Sequence, residues 1–534
     1  MIDWLLWIGG LAALLVLGSV LALWSYGRFA RRAVGKPAHS LPPGNDAPLD
    51  RLLAPREAAH PGASGAMFIF SPQEAFALRR NLSVLAARSI DVQYYIWYDD
   101  RTGRLLAQEL LNAADRGVRV RMLLDDVNVL GRDPLYLALD RHPLVEVRLF
   151  NPIRRRDRSF RRGIELFFNL VRYNRRMHGK CWIVDGRAAL TGGRNVGDVY
   201  FGAATGRRRN NDDLDLFLAG RVVGEMAEVF DTFWNAGMAL PISSLWHKRR
   251  TSLSRLRARL ARDRRDTAVR DFLDRVDVAL RGRGWASGQA PADTATATPR
   301  ADTCPLPPLD ALRWSATTAL IADPPQKVLG NGQHDWLPEE LIPRLTETTQ
   351  SLRIMTPYLV PGAAGLAALS GLAARGVRVE IVTNALAVND HVLVHGAYRW
   401  YRKGLLAAGV RLHEFAARPG PSAWPARPRE MLHGKAMTID GRLGFAGSFN
   451  FDLRSAFLNT EMGILFDDPA LLAELNDRFD HAIMPDRAFS LALDGKRVAW
   501  HRGAEPPVIL EPDSTFSRRL VSFIVGHLPI HRWL

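Results

Sequence analysis

Two stretches of this chain repeat one set of reactive side chains in the same register. Residues 177–195 (the first motif) read MHGKCWIVDGRAALTGGRN, and residues 432–450 (the second motif) read LHGKAMTIDGRLGFAGSFN. They align without a gap and share His178/His433, Lys180/Lys435, Asp185/Asp440 and Asn195/Asn450. Only seven of the 71 basic residues are lysines, and two of the seven fall in the same motif position. We therefore expect chemistry that needs a lysine ammonium rather than any positive charge.

Two such motifs together could break and remake a phosphate ester. A neutral imidazole can attack phosphorus, while a second, protonated imidazole donates a proton to the leaving oxygen. Lysine ammonium and asparagine amide groups can hold the non-bridging oxygens as negative charge builds on them. One site thus needs two histidines in opposite protonation states, which a duplicated fold supplies if both motifs meet at the interface between its halves.

Each catalytic imidazole also needs a carboxylate that orients it. Glu461, in the stretch NTEMGILF, follows the second motif, and the matching stretch NDDLDLFL places Asp213 opposite it, with Asp215 as the alternative. Asp185 and Asp440 each precede a glycine, and Asp-Gly pairs favour tight hairpin turns. We expect these two aspartates to be structural, so that their removal damages folding before chemistry.

The motifs follow two copies of a strand–helix–strand pattern. In the first, a strand at residues 89–97 precedes a helix at 105–115 and the run RGVRVRMLLDD; in the second, a strand at 351–358 precedes a helix and RGVRVEIVTN. On a strand, a histidine and a lysine two positions apart project from one face. The pattern predicts an internally duplicated α/β fold with parallel strands.

The amino-acid composition excludes several classes of protein. With 534 residues, 47% of them hydrophobic, the chain is in the globular range, which excludes a wholly disordered or collagen-like protein. Two cysteines, Cys181 and Cys304, are too few for a disulfide framework and are not spaced as a zinc site, so we expect no structural metal. A net charge of +16 indicates an anionic partner, either nucleic acid or anionic lipid.

The N-terminal residues favour anionic lipid over nucleic acid as the partner. Residues 4–27 contain no charged side chain, and this run is long enough to cross a bilayer. Because no basic residue precedes it, a membrane anchor is favoured over a cleaved signal peptide. The positive charges of Arg28, Arg31, Arg32 and Lys36 predict that the body of the protein faces the cytoplasm.

These patterns divide the chain into six segments. A transmembrane anchor (1–27), a juxtamembrane linker (28–66) and a first lobe (67–245) are followed by a basic helical insertion with a flexible linker (246–310), a second lobe (311–490) and a C-terminal tail with an amphipathic helix (491–534). The tail helix suits a membrane interface or docking on a core equally well. An arginine-rich stretch at 154–176 is a candidate anionic-lipid contact, with Arg154, Arg155, Arg156 and Arg158 as its test residues.

Several aromatic and histidine side chains outside the motifs allow two interpretations. Tyr94, Tyr95, Trp97 and Tyr98 could line a substrate channel, although aromatic residues in strands more often belong to a core. His391 and His395 fit ordinary packing better than a substrate pocket. Cys181 adjoins Lys180 and should face the opposite side, as a small core residue.

The two HxKxxxxD motifs, each followed by a glycine-rich turn and an asparagine, resemble the phospholipase D superfamily over residues 67–490. The stretches QYYIWYDDRTG, LLDD, GGRNVGDVYFG and LPI are similar to the cardiolipin synthase C type within it. The resemblance implies a bilobed α/β fold with one metal-independent site between the lobes. It also implies a phosphohistidine intermediate, transfer of a phosphatidyl group to an alcohol, and no cofactor.

Carried onto matching positions, the resemblance assigns roles to the motif residues. His178 matches the nucleophile and His433 the general acid and base, although the pseudo-symmetry leaves the reverse assignment open. Phosphate binding falls to Lys180, Lys435, Asn195, Asn450 and Ser448. Because the first motif has Gly193 where the second has Ser448, only the second half should offer a hydroxyl to phosphate.

We therefore expect an inner-membrane phosphatidyltransferase of bacterial type that makes cardiolipin. Phosphatidylglycerol would be one substrate and a second phospholipid, such as phosphatidylethanolamine, the other; the sequence does not determine whether a protein partner is needed. A phospholipase D hydrolase would use the same residues but resolve the intermediate with water. A nucleic-acid phosphodiesterase fits the charge, but the membrane anchor argues against it. A non-catalytic scaffold would not require two intact motifs.

Overall fold

The strands of the computed structural model form two large mixed sheets, one built mainly from each half of the chain. The structure describes residues 2–157, 159–206, 208–246, 251–285, 304–417 and 430–527. The first half contributes the strands β1 (Ser64–Ile69), β2 (Ser89–Tyr94), β3 (Arg119–Asp125), β4 (Val145–Phe150), β5 (Cys181–Val184), β6 (Ala188–Gly192), β7 (Asn210–Asp212), β8 (Asp215–Gly220) and β9 (Ala239–Pro241). Its helices are α1 (Ile2–Ala33), α2 (Pro48–Ala59), α3 (Pro72–Leu85), α4 (Arg101–Asp115), α5 (Asp126–Val129), α6 (Asp133–Leu139), α7 (Phe160–Phe168), α8 (Leu170–Tyr173), α9 (Arg221–Trp234), α10 (Ile242–Leu245), α11 (Leu253–Asp263) and α12 (Thr267–Gly282).

The second half repeats this arrangement. Its strands are β10 (Arg313–Ser315), β11 (Ala319–Ala322), β12 (Ser351–Met355), β13 (Leu359–Val360), β14 (Arg378–Asn384), β15 (Arg411–Phe415), β16 (Glu430–Leu432), β17 (Ala436–Ile439), β18 (Leu443–Gly447), β19 (Phe451–Asp452), β20 (Met462–Phe466), β21 (Ala488–Asp494) and β22 (Arg497–His501). Its helices are α13 (Leu337–Thr346), α14 (Gly362–Ala374), α15 (Val392–Ala407), α16 (Leu453–Phe457), α17 (Pro469–Ala482) and α18 (Phe516–His527).

The strand orders of the two sheets match. The first runs β10-β1-β8-β6-β5-β2-β3-β4-β9 and the second runs β11-β20-β18-β17-β12-β14-β15-β21-β22. In each, three strands pair in parallel (β2, β3, β4 and β12, β14, β15), and the strands on the motif side pair antiparallel. With β1 matched to β11 and β8 to β20, eight consecutive strands correspond, and β10 and β22 are additional edge strands of the first and second sheet. The predicted duplicated α/β fold is confirmed.

Each motif forms a hairpin, β5–β6 in the first half and β17–β18 in the second. The turns fall at Asp185-Gly186 and Asp440-Gly441, where all four residues have positive φ angles between 52° and 67°. Asp-Gly is a favoured sequence for this left-handed turn geometry, since glycine and aspartate tolerate it best. The predicted hairpin turns are therefore present in both halves.

The two lobes share one hydrophobic core at their interface. Buried side chains from the first sheet, among them Phe68 and Leu216, join Met462 and Phe466 of the second sheet in a single cluster. Phe68 and Phe466 meet edge to face, with their ring centroids 5.6 Å apart. Because apolar burial at this interface fixes the lobes against each other, groups on the two motif hairpins can be positioned relative to one another.

Folded structure begins before Met67, contrary to the predicted linker. Leu49 and Leu53 of α2 are fully buried, and Ser40 donates two hydrogen bonds to the Asp231 carboxylate of α9, from its backbone N–H at 2.8 Å and from its hydroxyl at 3.0 Å. Arg187 donates to the carbonyl of Gly44. Proline and glycine in this segment thus belong to an extended chain packed on the first lobe, a role their composition does not distinguish from a linker.

Other segment boundaries also shift. Strand β10 lies in the segment predicted for the second lobe but adds to the first sheet, whereas β21 and β22 carry the second sheet past residue 490 into the predicted tail. The helices α11 and α12 of the basic insertion bury Leu260, Phe272 and Val276 in the core of the first lobe and leave their charges outward. Most of the predicted flexible linker, residues 286–303, and the terminal residues 528–534 lie outside the described residues.

Candidate active site

Two short backbone pairings between the halves bring the motifs together. Strand β7 pairs in parallel with β16, which places Asp212 opposite Leu432, and an isolated bridge joins Met177 to Thr460. The carbonyl of Asp212 accepts hydrogen bonds from the backbone N–H groups of His433 and Gly434, at 2.7 and 3.1 Å. The second motif is therefore attached to the strand that leads into Asp213.

The first motif is attached in the mirrored way. The carbonyl of Thr460 accepts from the backbone N–H groups of His178 and Gly179, at 2.8 and 2.9 Å. Thr460 directly precedes Glu461, so each histidine is held beside the carboxylate of the other half. Pairing across the interface explains why neither lobe could complete the site alone.

The side chains follow this crossed arrangement. His178 Nδ1 lies 2.7 Å from Glu461 Oε2, and His433 Nδ1 lies 2.5 Å from Asp213 Oδ2. All four side chains are buried. The alternative carboxylate, Asp215, instead forms an ion pair with Arg79 at 2.9 Å and is not at the histidines. Because Nδ1 of each imidazole faces a carboxylate, Nε2 is the nitrogen left for chemistry.

The surroundings of Glu461 spread its charge over several donors. The hydroxyls of Ser448 and Ser455 donate to its two oxygens, at 2.6 and 2.7 Å. Burial raises the pKa of Glu461, and the nearby Lys180 ammonium only partly offsets this. Ser448 was expected to contact phosphate; its hydroxyl is instead bonded to Glu461, because Glu461 reaches the serine position of the glycine-rich turn.

Asp213 has different surroundings. A Cβ atom built on Gly193 would lie only 2.2 Å from Asp213 Oδ1, so the carboxylate fills the space that a serine side chain would occupy. Burial opposes the ionisation of Asp213, but the charge and hydrogen bond of His433, together with Lys435, hold its pKa well below the usual range. The glycine of the first motif is thus required by the aspartate packed against it.

Both imidazoles are held in the neutral form in the free site. Burial and then the Lys180 ammonium lower the pKa of His178 well below its ordinary value. Burial and Lys435 lower the pKa of His433 to about 4, although Asp213 acts in the opposite direction. A neutral imidazole can attack phosphorus, and an ionised carboxylate beside an imidazole stabilises its protonated form.

The two motif lysines are fully buried next to the histidines. Lys180 Nζ donates to the carbonyl of His178, and Lys435 Nζ lies 2.9 Å from His433 Nδ1 and 3.2 Å from its Nε2. Burial is the main cause that lowers the pKa of Lys180 to about 7 and that of Lys435 to about 8. A bound anion would raise both values by stabilising the ammonium forms.

The asparagines lie beside the histidines with unequal partners. Asn195 Oδ1 accepts from the backbone N–H of Ile96 at 3.0 Å, and its amide donates to the Tyr200 hydroxyl at 3.1 Å. Asn450 Oδ1 is buried without a hydrogen-bond partner among the described residues. The Asn450 amide donates to the Ser455 hydroxyl at 3.4 Å, a longer contact than that of Asn195 with Tyr200, so Asn450 is the less constrained of the two.

Asp185 and Asp440 stabilise the two hairpin turns. Asp185 accepts hydrogen bonds from the backbone N–H groups of residues 87, 88 and 89, and Asp440 accepts from those of residues 349, 350 and 351. Both sit at positive φ and tie the hairpin to the strand beside it. Their contacts are those of structural residues, as the sequence suggests.

Two aromatic side chains are neighbours of the histidines, and only Tyr95 was among the candidates for a substrate channel. The ring of Tyr95 meets His178 edge to face at 4.9 Å, and that of Tyr200 meets His433 in the same way at 5.3 Å. Tyr94 and Trp97 belong to the core, so the aromatic stretch divides between the two interpretations. Strand alternation already separates Tyr95 from Tyr94, whereas no pattern pointed to Tyr200.

Another cluster of potential metal ligands lies away from the motifs, where His395, Glu414 and Glu511 come together in the second lobe. The guanidinium of Arg402 donates to both carboxylates, at 2.8 and 2.7 Å, so their charge is already compensated. His395 Nδ1 lies 3.2 Å from the Ser522 hydroxyl of α18. The packing interpretation of His395 fits this position.

Comparisons with known proteins agree with the fold and the site. A family model described as "Cardiolipin synthase, PLD-like domain" matches residues 83–234 and 341–483. Cardiolipin synthase C of Escherichia coli (strain K12) is 36% identical over 499 residues, which cover 91% of this chain and 99% of that protein. Cardiolipin synthase A of Salmonella arizonae is 26% identical over 431 residues, covering 80% and 71%.

Among solved structures, the phosphatidylserine synthase of Haemophilus influenzae Rd KW20 superposes with a TM-score of 0.52 at 15% identity. The match covers 82% of this chain and 91% of that one and shows a shared fold. The two family segments contain both histidines and both carboxylates of the site. This chain therefore belongs to the cardiolipin synthase family of phospholipase D-like enzymes.

Proposed function

We propose that this protein is a phosphatidyltransferase that makes cardiolipin, with phosphatidylglycerol as the acceptor. The observation that carries the proposal is the crossed pair of histidine–carboxylate contacts, His178 with Glu461 and His433 with Asp213. These contacts join two motifs into one buried site with two imidazoles and two ammonium groups. Such a site suits the exchange of one alcohol for another on a phosphodiester.

The first step transfers the phosphatidyl group to the protein. His178 Nε2 attacks phosphorus, a P–N bond forms, and the P–O bond to the donor headgroup breaks. His433, protonated on Nε2 when the anionic donor is bound, gives its proton to the departing oxygen. The headgroup then leaves as a neutral alcohol.

The second step runs the same bond changes and proton transfer in the opposite direction, with the acceptor lipid in place of the headgroup. The neutral His433 takes the proton from a hydroxyl of the acceptor lipid, and that oxygen attacks phosphorus. A P–O bond forms, the P–N bond breaks, and His178 returns to its neutral form. Lys180, Lys435, Asn195 and Asn450 hold the non-bridging oxygens in both steps.

The unequal carboxylates support this assignment of the two histidines. Asp213 remains ionised and stabilises the imidazolium form that the acid and base must adopt. Glu461 shares its charge with Ser448 and Ser455 and serves mainly to fix the tautomer of His178. Ser448 accordingly positions a carboxylate rather than contacting phosphate directly.

Product analysis tests the proposal. Full-length protein is incubated with labelled phosphatidylglycerol in mixed vesicles, with and without phosphatidylethanolamine and with chelator, and His178→Ala serves as the blank. Cardiolipin made only by the intact protein supports the transferase, and dependence on phosphatidylethanolamine would identify it as the phosphatidyl donor. Phosphatidic acid as the sole product would favour hydrolysis, and cleavage of DNA without lipid turnover would contradict both.

The protein is further proposed to sit in the inner membrane as a single-pass protein with its catalytic lobes on the cytoplasmic side. Among the described residues, one helix, Leu6–Ala33, is long and apolar enough to span a membrane. The basic residues at its C-terminal end support the orientation. Beside it, α7 packs against α1 and exposes Phe160 and Phe167, at 84% and 62% of their surface.

The C-terminal helix α18 supports a second contact with the bilayer surface. One face docks on α15, where Val525 lies against Gly396, while Phe516, Leu520, Phe523 and Ile524 remain exposed. Docking and an exposed apolar face are therefore combined in one helix. Basic residues between these side chains suit an anionic interface.

The arginine-rich stretch contributes less than its sequence suggests. Arg156 is buried and donates to Asp126 and Asp133, so it belongs to the fold rather than to a lipid contact. Arg154 and Arg155 are exposed, and Arg158 lies outside the described residues. Neutralising Arg156 would consequently test folding and not membrane affinity.

A polarity-sensitive fluorophore tests these surfaces in proteoliposomes of anionic lipid. Labels on Phe167→Cys and Phe523→Cys should shift to the blue relative to the same variants in lipid-free detergent. The matched control is Val278→Cys, an exposed apolar position on α12 that should stay in water. Equal emission from all three sites would contradict the proposed membrane contacts.

A further inference from the structure

A cavity of about 410 Å³ lies between the lobes and is lined by residues of both. Its wall includes Asn211 of β7 and Met431 of β16, which are register partners in the short interlobe sheet. Two positions further along these strands lie Asp213 and His433. The strands that line the cavity thus lead directly into the acid–base pair of the site.

Tyr200 connects the cavity to the same pair. It lines the cavity, and its ring meets His433 edge to face with the centroids 5.3 Å apart. Tyr95, the aromatic neighbour of His178, does not line this cavity. The cavity is therefore on the His433 side of the site, where the proposed mechanism places the alcohols.

The acidic groups of the lining are largely engaged by the protein. Asp99 forms ion pairs with Arg104 and Arg259, at 2.6 and 3.4 Å. Asp100 caps α4 through the backbone N–H of Gly103, and burial raises its pKa to about 6. Asp390 is half exposed; its Oδ1 accepts a hydrogen bond from the Tyr358 hydroxyl at 2.7 Å, while its Oδ2 lies 3.6 Å from His391 Nε2 and is the more accessible oxygen.

Within the described residues, Arg132 and Arg208 of the cavity lining form no ion pair with a carboxylate. Arg209 donates to the carbonyl of Ala387 at 2.9 Å. Arg132 stacks on the Tyr98 ring at 4.8 Å, and its hydrogen bond runs to the Asn128 carbonyl. Arg208 is exposed and makes no side-chain hydrogen bond or ion pair within the described part of the chain. The cavity therefore offers two guanidinium groups to an anion.

We propose that this interlobe cavity binds the headgroup of the acceptor lipid, with Arg132 and Arg208 holding its phosphodiester and Asp390 accepting a hydroxyl of its glycerol. The inference rests on the proposed function and specifies the alcohol side of that site. A phosphoglycerol headgroup combines one negative charge with a diol, which matches two guanidinium groups and a half-exposed carboxylate. The same cavity would hold the departing alcohol in the first step, before the acceptor replaces it.

Soluble acceptors test the role of the arginines. Labelled phosphatidylglycerol in vesicles is the donor, and glycerophosphoglycerol competes with glycerol as acceptor; both offer a diol, but only the first carries a phosphodiester. Wild-type protein should prefer glycerophosphoglycerol. Arg208→Gln should lower this preference roughly tenfold, as expected for the loss of one charge-assisted contact. Arg270→Gln, an exposed position on α12, is the matched control and should keep the wild-type ratio.

The outcomes separate the two proposals. A preference that Arg208→Gln and Arg132→Gln each reduce, with Arg270→Gln unchanged, supports the acceptor cavity. Transfer to both alcohols with an unaltered preference in all three variants would overturn the cavity proposal and leave the transferase intact. Donor turnover without transfer to either alcohol would overturn the proposed function itself.

Discussion

The two halves of the molecule present the same motif but support its histidine in different ways. In the second half, His433 faces Asp213, a carboxylate packed against Gly193 and held ionised by its neighbours. In the first half, His178 faces Glu461, whose oxygens are shared with two serine hydroxyls. The motifs are equivalent in sequence, yet their carboxylates have pKa values displaced in opposite directions.

This difference shows how a duplicated fold can produce an asymmetric reaction. A nucleophile needs a neutral imidazole in a fixed tautomer, which a hydrogen-bonded carboxylate of reduced charge provides. An acid and base needs an imidazolium that can form transiently, which a fully ionised carboxylate stabilises. The asymmetry arises at two positions where the repeats differ. Asp213 in the first half corresponds to Glu461 in the second, and Gly193 corresponds to Ser448.

Replacing each histidine should expose the asymmetry most strongly. With natural lipid, His178→Asn and His433→Asn should each lower transfer by roughly 10³-fold or more. With phosphatidyl-p-nitrophenol, whose leaving group needs no proton, His433→Asn should still release one equivalent of nitrophenolate and accumulate phosphatidyl on His178. His178→Asn should give no burst, and mass spectrometry locates the adduct. An adduct on His433 in the His178 variant would reverse the assignment.

Replacing the carboxylates should lower transfer less than replacing the histidines, and the two carboxylate variants should differ from each other. Asp213→Asn keeps an oxygen for His433 but removes the charge that stabilises its protonated form, so kcat should fall roughly 10³-fold. Glu461→Gln keeps an acceptor for His178 and can retain the serine contacts, so the loss should be roughly tenfold. Steady-state transfer kinetics measure both, and the circular dichroism melt of each variant controls for folding. Equal losses would show that the two carboxylates do the same work.

Exchanging the residues of the glycine-rich turns should have the next largest effect. Gly193→Ser forces a side chain into the space of Asp213, which should cost about 1–3 kcal/mol of unfolding free energy and lower activity more than tenfold. Ser448→Gly removes one of several hydrogen bonds to Glu461 and should lower activity only a fewfold. Denaturant unfolding and transfer rates measure these effects. Ser448→Ala controls for backbone freedom, and a milder effect of Gly193→Ser than of Ser448→Gly would contradict the packing argument.

Much of the site could be predicted because the chain contains the same motif twice, and the two copies can be aligned with each other. Two motifs in one register identify the histidines, lysines and asparagines, and the matching strands after them identify Asp213 and Glu461. The fold class followed from the same repetition. These features depend on residue type and local spacing, which a single sequence contains.

What could not be predicted depends on contacts across the interface. The exchange of carboxylates between halves results from the pairing of β7 with β16 and of Met177 with Thr460. No periodicity in either half records such pairings. For the same reason, the hydrogen bond from the Ser448 hydroxyl to Glu461 could not be predicted from the sequence. The packed segment before Met67 was missed because proline and glycine occur in both linkers and buried extended chains.

The smallest effect concerns the lysines, and it appears as a pH dependence. In the proposed mechanism the ammonium forms of the lysines hold the phosphate oxygens, and burial lowers the pKa values to about 7 for Lys180 and about 8 for Lys435. Raising the pH therefore removes the active forms of the lysines, so kcat/KM should fall more steeply above pH 7 than the requirement for a protonated His433 alone produces, by about a further tenfold between pH 7 and 8. Burial lowers the pKa of His178 well below its ordinary value, so this histidine should cause no loss of activity just below neutral pH. Rates measured at constant ionic strength from pH 5 to 9 give the profile. Lys180→Arg, whose charge does not titrate in this range, should move the fall toward pH 8, whereas a flat wild-type profile would show that the lysines do not control binding of the donor.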